Sequence, residues 1–173
     1  VVAMESQRAK CVVIGEDLGT VPEGFRGKLW AANMLSYRVL WFEQNEQDYA
    51  PPESYPRQAA VCLSSHDLLP FRGWEQTVPP DEREKLVRAV SGTTSITGDL
   101  LADAHEFVAR TPCAIMLVQA DDLSGETEPL NVPGTDKERP NWRRRLSLGS
   151  DALADLPATR AVLVALRNGG RLQ

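Results

Sequence analysis

Several features that mark special classes of protein are scarce or missing in this sequence of 173 residues. Cysteine is sparse: Cys11, Cys62 and Cys113 are widely spaced, and no C-x-x-C pair occurs. That excludes a disulfide framework and a cysteine zinc site. It predicts buried free thiols in a reducing compartment, the cytoplasm. Histidine is rarer still, with only His66 and His105. No H-E-x-x-H spacing joins them, so no metal is expected, and His105 reads as a helix-surface or packing residue. No apolar run approaches the about 20 residues that cross a bilayer, and no secretory leader is read. Positive charge is not in excess. Lys and Arg total 19 against 24 Asp and Glu, a net charge of −5. Neither nucleic acid nor an anionic membrane is therefore an expected partner. The chain starts at Val1 and not at Met, as expected of a piece of a longer protein.

What is present describes an ordinary folded chain, 42% hydrophobic and 25% charged. The length suits one domain with a real core. It is short for a complete (β/α)8 barrel, which needs about 250 residues. Four apolar runs read as strands: Cys11 to Ile14, Tyr37 to Phe42, Ala59 to Leu63, and Ala114 to Val118. None alternates apolar with polar, the pattern of parallel strands covered on both faces. Helices are expected over Glu23 to Met34, from Asp81 through Val90, from Leu100 through Val108, and from Pro157 to Arg167 with Gly169 as the stop. Alternating strands and helices predict a parallel α/β architecture. Two irregular stretches interrupt it, Gln44 to Gln58 and Ala120 to Asn141. Loops that long in a compact domain tend to carry function.

The chemistry gathers at the strand ends. The first strand runs into Glu16-Asp17, the third into Ser64-Ser65-His66-Asp67, and the fourth into Asp121-Asp122. In parallel α/β folds these carboxyl ends form the active face. Neighbouring strands would bring Glu16 and Asp67 to one rim, where paired carboxylates do acid/base work or stabilise a cation. The alternative is that such acids cap the turns that follow. Ser64 and Ser65 lack a G-x-S-x-G elbow, so a serine hydrolase is unsupported. Gly15-x-x-x-Gly19 lacks the lysine of a phosphate loop. Tyr37, Trp41 and Phe42 read as strand packing, and Trp74 as either a loop anchor or a cleft wall. The Arg143-Arg144-Arg145 run beside Trp142 reads as structural, its arginines paired with the abundant acids, although an exposed indole also suits a sugar.

These residues carry a family resemblance. Val13-Ile14-Gly15-Glu16-Asp17-Leu18-Gly19-Thr20-Val21-Pro22 resembles the acid/base segment of 4-α-glucanotransferases, the amylomaltases of glycoside hydrolase family 77. Tyr37-Arg38-Val39-Leu40-Trp41-Phe42-Glu43 resembles the next strand, and Ser65-His66-Asp67-Leu68 the segment bearing a further carboxylate. Asn131-Val132-Pro133-Gly134-Thr135, then Pro140-Asn141-Trp142-Arg143-Arg144-Arg145-Leu146, resembles the late signature. The motifs occur in the family's order over about three quarters of the chain.

The resemblance implies an α/β fold, the C-terminal portion (about strands five to eight) of a (β/α)8 TIM barrel. Residues 1–173 would form a single partial domain. It implies a retaining transfer of α-1,4-glucan segments, with malto-oligosaccharides, starch or glycogen as partners and no cofactor. Glu16 takes the general acid/base position, which calls for a partly enclosed site. Asp67 takes the position that binds and distorts the sugar ring. His66 would hydrogen-bond that ring, and Asn131, Asn141 and Trp142 would line or support the cleft as substrate-binding residues. The family's nucleophile, an aspartate in an Arg-x-Asp context, has no match here, so the isolated chain is expected to be inactive. One departure follows His66-Asp67: bacterial relatives commonly read Leu-Pro-Thr or Asn-Asp-Thr there, whereas this chain reads Leu68-Leu69-Pro70-Phe71-Arg72-Gly73-Trp74, without the threonine. The competing readings are an α-amylase-like hydrolase and a non-catalytic carbohydrate-binding half barrel. Half a barrel would also leave sheet edges open to self-association.

Overall fold

The structure, a computed structural model, describes residues 1–92 and 98–172. Its centre is a parallel sheet of β1 (Ser36–Val39), β2 (Ala59–Cys62) and β3 (Ile115–Met116), in the order β1-β2-β3. Ser36 lies opposite Ala59, Val39 opposite Cys62, and Ala60 opposite Ile115. Each strand thus pairs with the next one in sequence, the order of a barrel wall. All four residues of β2 are buried, which is why its sequence is continuously apolar and carries no alternation.

The expected strand Cys11 to Ile14 is reduced to one parallel bridge, Ile14 to Leu35. Two hydrogen bonds hold it, Leu35 N–H to the Val13 carbonyl at 3.0 Å and Gly15 N–H to the Leu35 carbonyl at 2.8 Å. Val12 is 66% exposed and Cys11 is also exposed, so only Cys62 and Cys113 match the expected buried thiols. The reason is one-sided support: among the described residues this segment has a neighbour on its β1 side alone. The expected strand Tyr37 to Phe42 likewise ends at Val39, where Leu40–Phe42 turn into a short 3-10 helix.

The helices are α1 (Val2–Ala9), α2 (Phe25–Ala31), α3 (Phe71–Thr77), α4 (Pro80–Ser91), α5 (Leu100–Ala109), α6 (Ala120–Ser124) and α7 (Pro157–Asn168). Helix α4 opens on Pro80 with Asp81 and Glu82 in its first turn, where acids complement the exposed N–H groups. It stops at Gly92 in the left-handed region. Helix α5 is capped by Asp99, which accepts from Leu101 N–H. Leu100, Leu101, Ala104, Phe107 and Val108 turn its apolar stripe into a core shared with Val61, Leu63, Phe71, Leu86 and Val162. Each such fully buried large side chain contributes about 1.5–3 kcal/mol. His105 is fully buried on this helix, its Nδ1 at 2.8 Å from the Leu101 carbonyl. Burial pulls its pKa down to about 4, so it packs as a neutral ring. The ends of α5 and α7 meet closely at Gly169, where a Cβ would lie 2.3 Å from that of Ala109.

Helices α1, α3 and α6 have no counterpart in the sequence expectations; α6 opens the stretch from Ala120 expected to be irregular. Helix α1 buries none of its residues. Helix α3 begins in the departure noted after Asp67, and its first N–H, that of Phe71, donates to the Asp122 carboxylate at 2.7 Å. No helix among the described residues is long and apolar enough to cross a membrane.

Candidate active site

The site is built by two segments that leave the sheet at its carboxyl end, after the Ile14 bridge and after β2, and by a loop that follows α6. The first is Gly15 to Gly19. Beyond the Ile14 bridge, the next β1 donor is the Tyr37 N–H, and backbone pairing there would continue the ladder. Instead the Asp17 Oδ1 accepts it at 2.9 Å. The same fully buried carboxylate receives the Arg26 Nε at 3.1 Å and lies 3.8 Å from Arg38. The Asp17 side chain thereby replaces a strand rung, and the residue before it, Glu16, is left exposed at the rim. Sequence reading marked the acidic pair but gave Asp17 no role. Its signal was the adjacency of two acids at one strand end, of which geometry allows only one to face outward.

The second segment is Ser65 to Leu68, directly after β2. Asp67 is tied from two sides. The Asn131 Nδ2 donates to Asp67 Oδ1 at 2.6 Å, and the His66 Nε2 lies 3.3 Å from that oxygen. Among the described residues the other oxygen, Oδ2, has no donor. The backbone repeats the link, with Asn131 N–H donating to the His66 carbonyl at 3.0 Å. The third part is the 131–142 loop. Asn141 closes it as a clamp: its Oδ1 accepts from Val132 N–H at 3.2 Å, and its Nδ2 donates to the Thr135 carbonyl at 3.0 Å and hydroxyl at 2.8 Å.

Glu16, Leu18, Tyr37, Phe42, His66, Asp67 and Pro133 line a cleft of about 520 Å³, within the usual range of a ligand site. Three of the six expected site residues, Glu16, His66 and Asp67, therefore share it. Asn131 reaches it through its bond to Asp67. Asn141 and Trp142 do not line it; with Asn131 they border an adjoining depression of about 440 Å³. Trp142 is 59% exposed, held at φ 62°, with its ring 4.9 Å from that of His66. Its part is to back the histidine. Glu16 is open to solvent, so the enclosure expected around an acid/base residue is not supplied by the described residues.

Tyr37 and Phe42 correct the sequence reading, which placed both in strand packing. Phe42 is 53% exposed because the 3-10 turn after Val39 rotates it out of the sheet and into the cleft. Tyr37 points its phenol toward the same space. Burial first, then the neighbouring Cys62 thiol, and last the charge of Glu16 raise its pKa above the ordinary tyrosine range. Trp41 is the packing residue of the three, stacked on Trp74 at 4.5 Å.

The third acidic strand end turns away from the cleft. Asp121 pairs with Arg144, which also reaches Glu126 at 3.1 Å. Asp122 is 1% exposed and caps Phe71, and burial raises its pKa to about 6. These two acids do the capping and pairing that the alternative reading allowed. Among the described residues no group of three or more His, Cys, Asp or Glu could hold a metal ion.

Comparison with known proteins decides the lineage. Residues 1–150 match the family model described as 4-alpha-glucanotransferase, glycoside hydrolase family 77. The chain belongs to this family. The 4-alpha-glucanotransferase of Mycobacterium tuberculosis is 32% identical over 177 aligned residues, covering 83% of this chain and 24% of the relative. That of Haemophilus influenzae is 25% identical over 206 residues, covering 98% of this chain and 29% of the relative. The amylomaltase of Corynebacterium glutamicum superposes with a TM-score of 0.77 at 25% identity, over 96% of this chain and 30% of that one. An amylomaltase from Streptococcus agalactiae in complex with acarbose shares the fold, with a TM-score of 0.70 at 14% identity, over 94% of this chain and 33% of that one. The chain spans between a quarter and a third of the length of these relatives. Its parallel sheet with flanking helices is part of the 4-alpha-glucanotransferase barrel, and the cleft lies on the carboxyl face of that barrel's strands.

Proposed function

We propose that this chain carries the acid/base side of a 4-α-glucanotransferase active site. The parent protein would transfer α-1,4-glucan segments to an acceptor glucan or glucose by retaining double displacement. The observation that carries this is the convergence of Glu16 and Asp67 on one cleft from the carboxyl ends of two parallel segments that flank β1, the Ile14 bridge and β2. Family membership supports the reaction class, and the acarbose bound to the Streptococcus agalactiae amylomaltase supports an oligosaccharide ligand.

Exposed at the rim, Glu16 can reach a substrate oxygen without moving the buried scaffold. It protonates the leaving glycosidic oxygen and then takes the proton of the incoming 4-hydroxyl. Asp67 is prevented from swinging away by Asn131 and His66, which occupy Oδ1. Its Oδ2 is left to accept sugar hydroxyls and to place negative charge against an oxocarbenium-like transition state. Phe42 and Leu18 give the cleft an apolar wall for the flat C–H face of a ring. The free thiols of Cys62 and Cys113 fit a cytoplasmic setting. The open edges of the sheet fit further barrel strands or a second copy, which sedimentation at rising concentration separates.

Retention needs a nucleophilic carboxylate about 5–5.5 Å from the acid/base group, and the family motifs matched here assign none. The test uses maltotriose disproportionation. In a chain extended to the length of its relatives, Glu16→Gln and Asp67→Asn each reduce turnover by about 10²–10⁴. The 173-residue chain alone gives none. Full turnover with Glu16→Gln would sink the assignment, and disproportionation by the 173-residue chain would show that the nucleophile lies within it.

A further inference from the structure

The depression beside the cleft, about 440 Å³ in volume, differs in charge from the chain around it. Its lining holds three cations, Lys137, Arg139 and Arg143, against one carboxylate, Asp136, in a protein of net charge −5. From sequence the Arg143-Arg144-Arg145 run is expected to pair with acids. Among the described residues only Arg144 does so, reaching Asp121 and Glu126. Arg139 donates to the Pro129 carbonyl at 2.8 Å and lies 3.5 Å from Glu128, which fixes its guanidinium at the edge of the depression. Lys137 and Arg143 are exposed, and among the described residues neither side chain pairs with a carboxylate. Glu138, the next acid along, turns back onto the Asp136 N–H at 2.9 Å and does not line the depression. The neutral polar groups are already engaged: Asn131 donates to Asp67, Asn141 to Thr135, and the Thr135 hydroxyl to the Val132 carbonyl at 2.7 Å. Trp142 completes the wall with an exposed indole.

We propose that this depression binds a phosphate group, free or carried on a sugar. The proposal needs nothing of the glucan reading of the cleft. The occupant follows from the donor set. The groups left unengaged are N–H donors on an ammonium and a guanidinium, which offer no acceptor in return. A neutral sugar, whose hydroxyls need donors and acceptors together, gains little from them. A carboxylate brings a single charge and engages one guanidinium. A phosphate monoester brings a charge of about −1.5 to −2 at pH 7 and several acceptor oxygens, which matches cations arriving from Lys137, Arg139 and Arg143. The planar guanidinium of Arg143 can grip two of those oxygens side by side. The Trp142 indole adds an apolar face on which the ring of a sugar phosphate lies. The volume is that of a small-molecule site.

The test is calorimetric titration of the 173-residue chain with inorganic phosphate, glucose 6-phosphate and glucose. A background of about 0.15 M sodium chloride screens attraction beyond about 8 Å. The unaltered chain is expected to bind both phosphates saturably. Lys137→Gln and Arg143→Gln change exposed side chains, and each weakens both phosphates by about ten-fold, the scale of one charge-assisted hydrogen bond. Arg145→Gln removes the same charge from an exposed neighbour outside the lining and leaves the affinities unchanged. Tighter binding of glucose 6-phosphate than of inorganic phosphate makes the sugar phosphate the ligand, and equal binding makes it free phosphate; either supports the site. An equal loss in Arg145→Gln reveals general attraction to positive charge and overturns it. So does an unchanged affinity in Arg143→Gln, or the lack of saturable phosphate binding by the unaltered chain. A loss of glucose binding in Lys137→Gln or Arg143→Gln that matches the loss of glucose 6-phosphate overturns it too, because the sugar and not the phosphate would then be what these side chains hold.

Discussion

Replacing Asp17 by alanine removes the side chain that stands in for a strand rung. Three contacts are lost, and they are not equal. The Tyr37 N–H, donating at 2.9 Å beneath a fully buried carboxylate, is left without an acceptor, at a cost of about 1–3 kcal/mol. The Arg26 pair involves a guanidinium that is 55% exposed, so solvent screening limits it to about 0–1 kcal/mol. Arg38 stands farther off, at 3.8 Å, and keeps Glu43 at 3.6 Å, so its loss adds little. The sum is about 1–4 kcal/mol for Asp17→Ala. Asp17→Asn keeps an oxygen for Tyr37 and gives up only the charge, so about 0.5–1.5 kcal/mol is expected. Urea unfolding followed by circular dichroism measures both. With a slope of about 2 kcal/mol per molar, the alanine midpoint falls by about 0.5–2 M and the asparagine midpoint by about 0.25–0.75 M. Equal losses for the two variants would refute the rung, because the orphaned N–H is the whole of the predicted difference. So would an alanine loss below about 0.5 kcal/mol, the size of an ordinary surface change.

Gly73 is buried in α3, and a Cβ there would lie 2.0 Å from the Thr127 carbonyl oxygen. Gly73→Ala therefore lowers stability by about 1–3 kcal/mol or more, since backbone must move, and a thermal melt reads the loss. His105 titrates at about 4 when folded, below its unfolded value. Its contribution is fully present above about pH 6.5 and is lost as the pH falls toward 4. Asp122 is the opposite case. Its folded pKa is raised to about 6, so the folded state binds the proton more tightly, and its contribution is greatest below about pH 4 and is lost as the pH rises through 6. Urea midpoints from pH 4 to 7 thus steepen upward with pH in Asp122→Asn, which keeps an acceptor for Phe71, and lose that rise in His105→Leu. An identical pH profile in either variant and the unaltered chain would show that the group does not titrate as its burial requires. Asn131→Ala releases Asp67 Oδ1, and maltotriose affinity falls about ten-fold in a calorimetric titration. Unchanged affinity would remove Asn131 from the site.

The helices that could be read in advance are those with strong local signals. Helix α4 has its opening proline and acids, α5 its apolar stripe, and α7 its proline start. Helix α3 could not be read, because its N-terminal donor is satisfied by Asp122, 51 residues away. Strand ends were also over-read. Apolar content continues through Trp41 and Phe42, yet the pairing stops at Val39, and the aromatics that follow become stacking partner and cleft wall. Asn141 and Trp142 stand close to the site in sequence motif but act behind it, one closing a loop and the other backing His66.

Residue type and order along the chain established the parallel α/β character, the strand-end placement of the acids and the family to which they belong. These are local properties: unbroken apolar runs, helix punctuation and short motifs survive without knowledge of distant neighbours. Which acid of each pair faces the cleft was decided only by tertiary packing. Glu16 and Asp17 are chemically alike and adjacent, and so are Asp121 and Asp122. A buried donor, the N–H of Tyr37 or of Phe71, draws one carboxylate inward. At the first strand end this leaves Glu16 free at the rim, while at the last Arg144 holds Asp121 away from the cleft. Those donors come from other elements of the chain, so the choice exists only once the sheet has assembled.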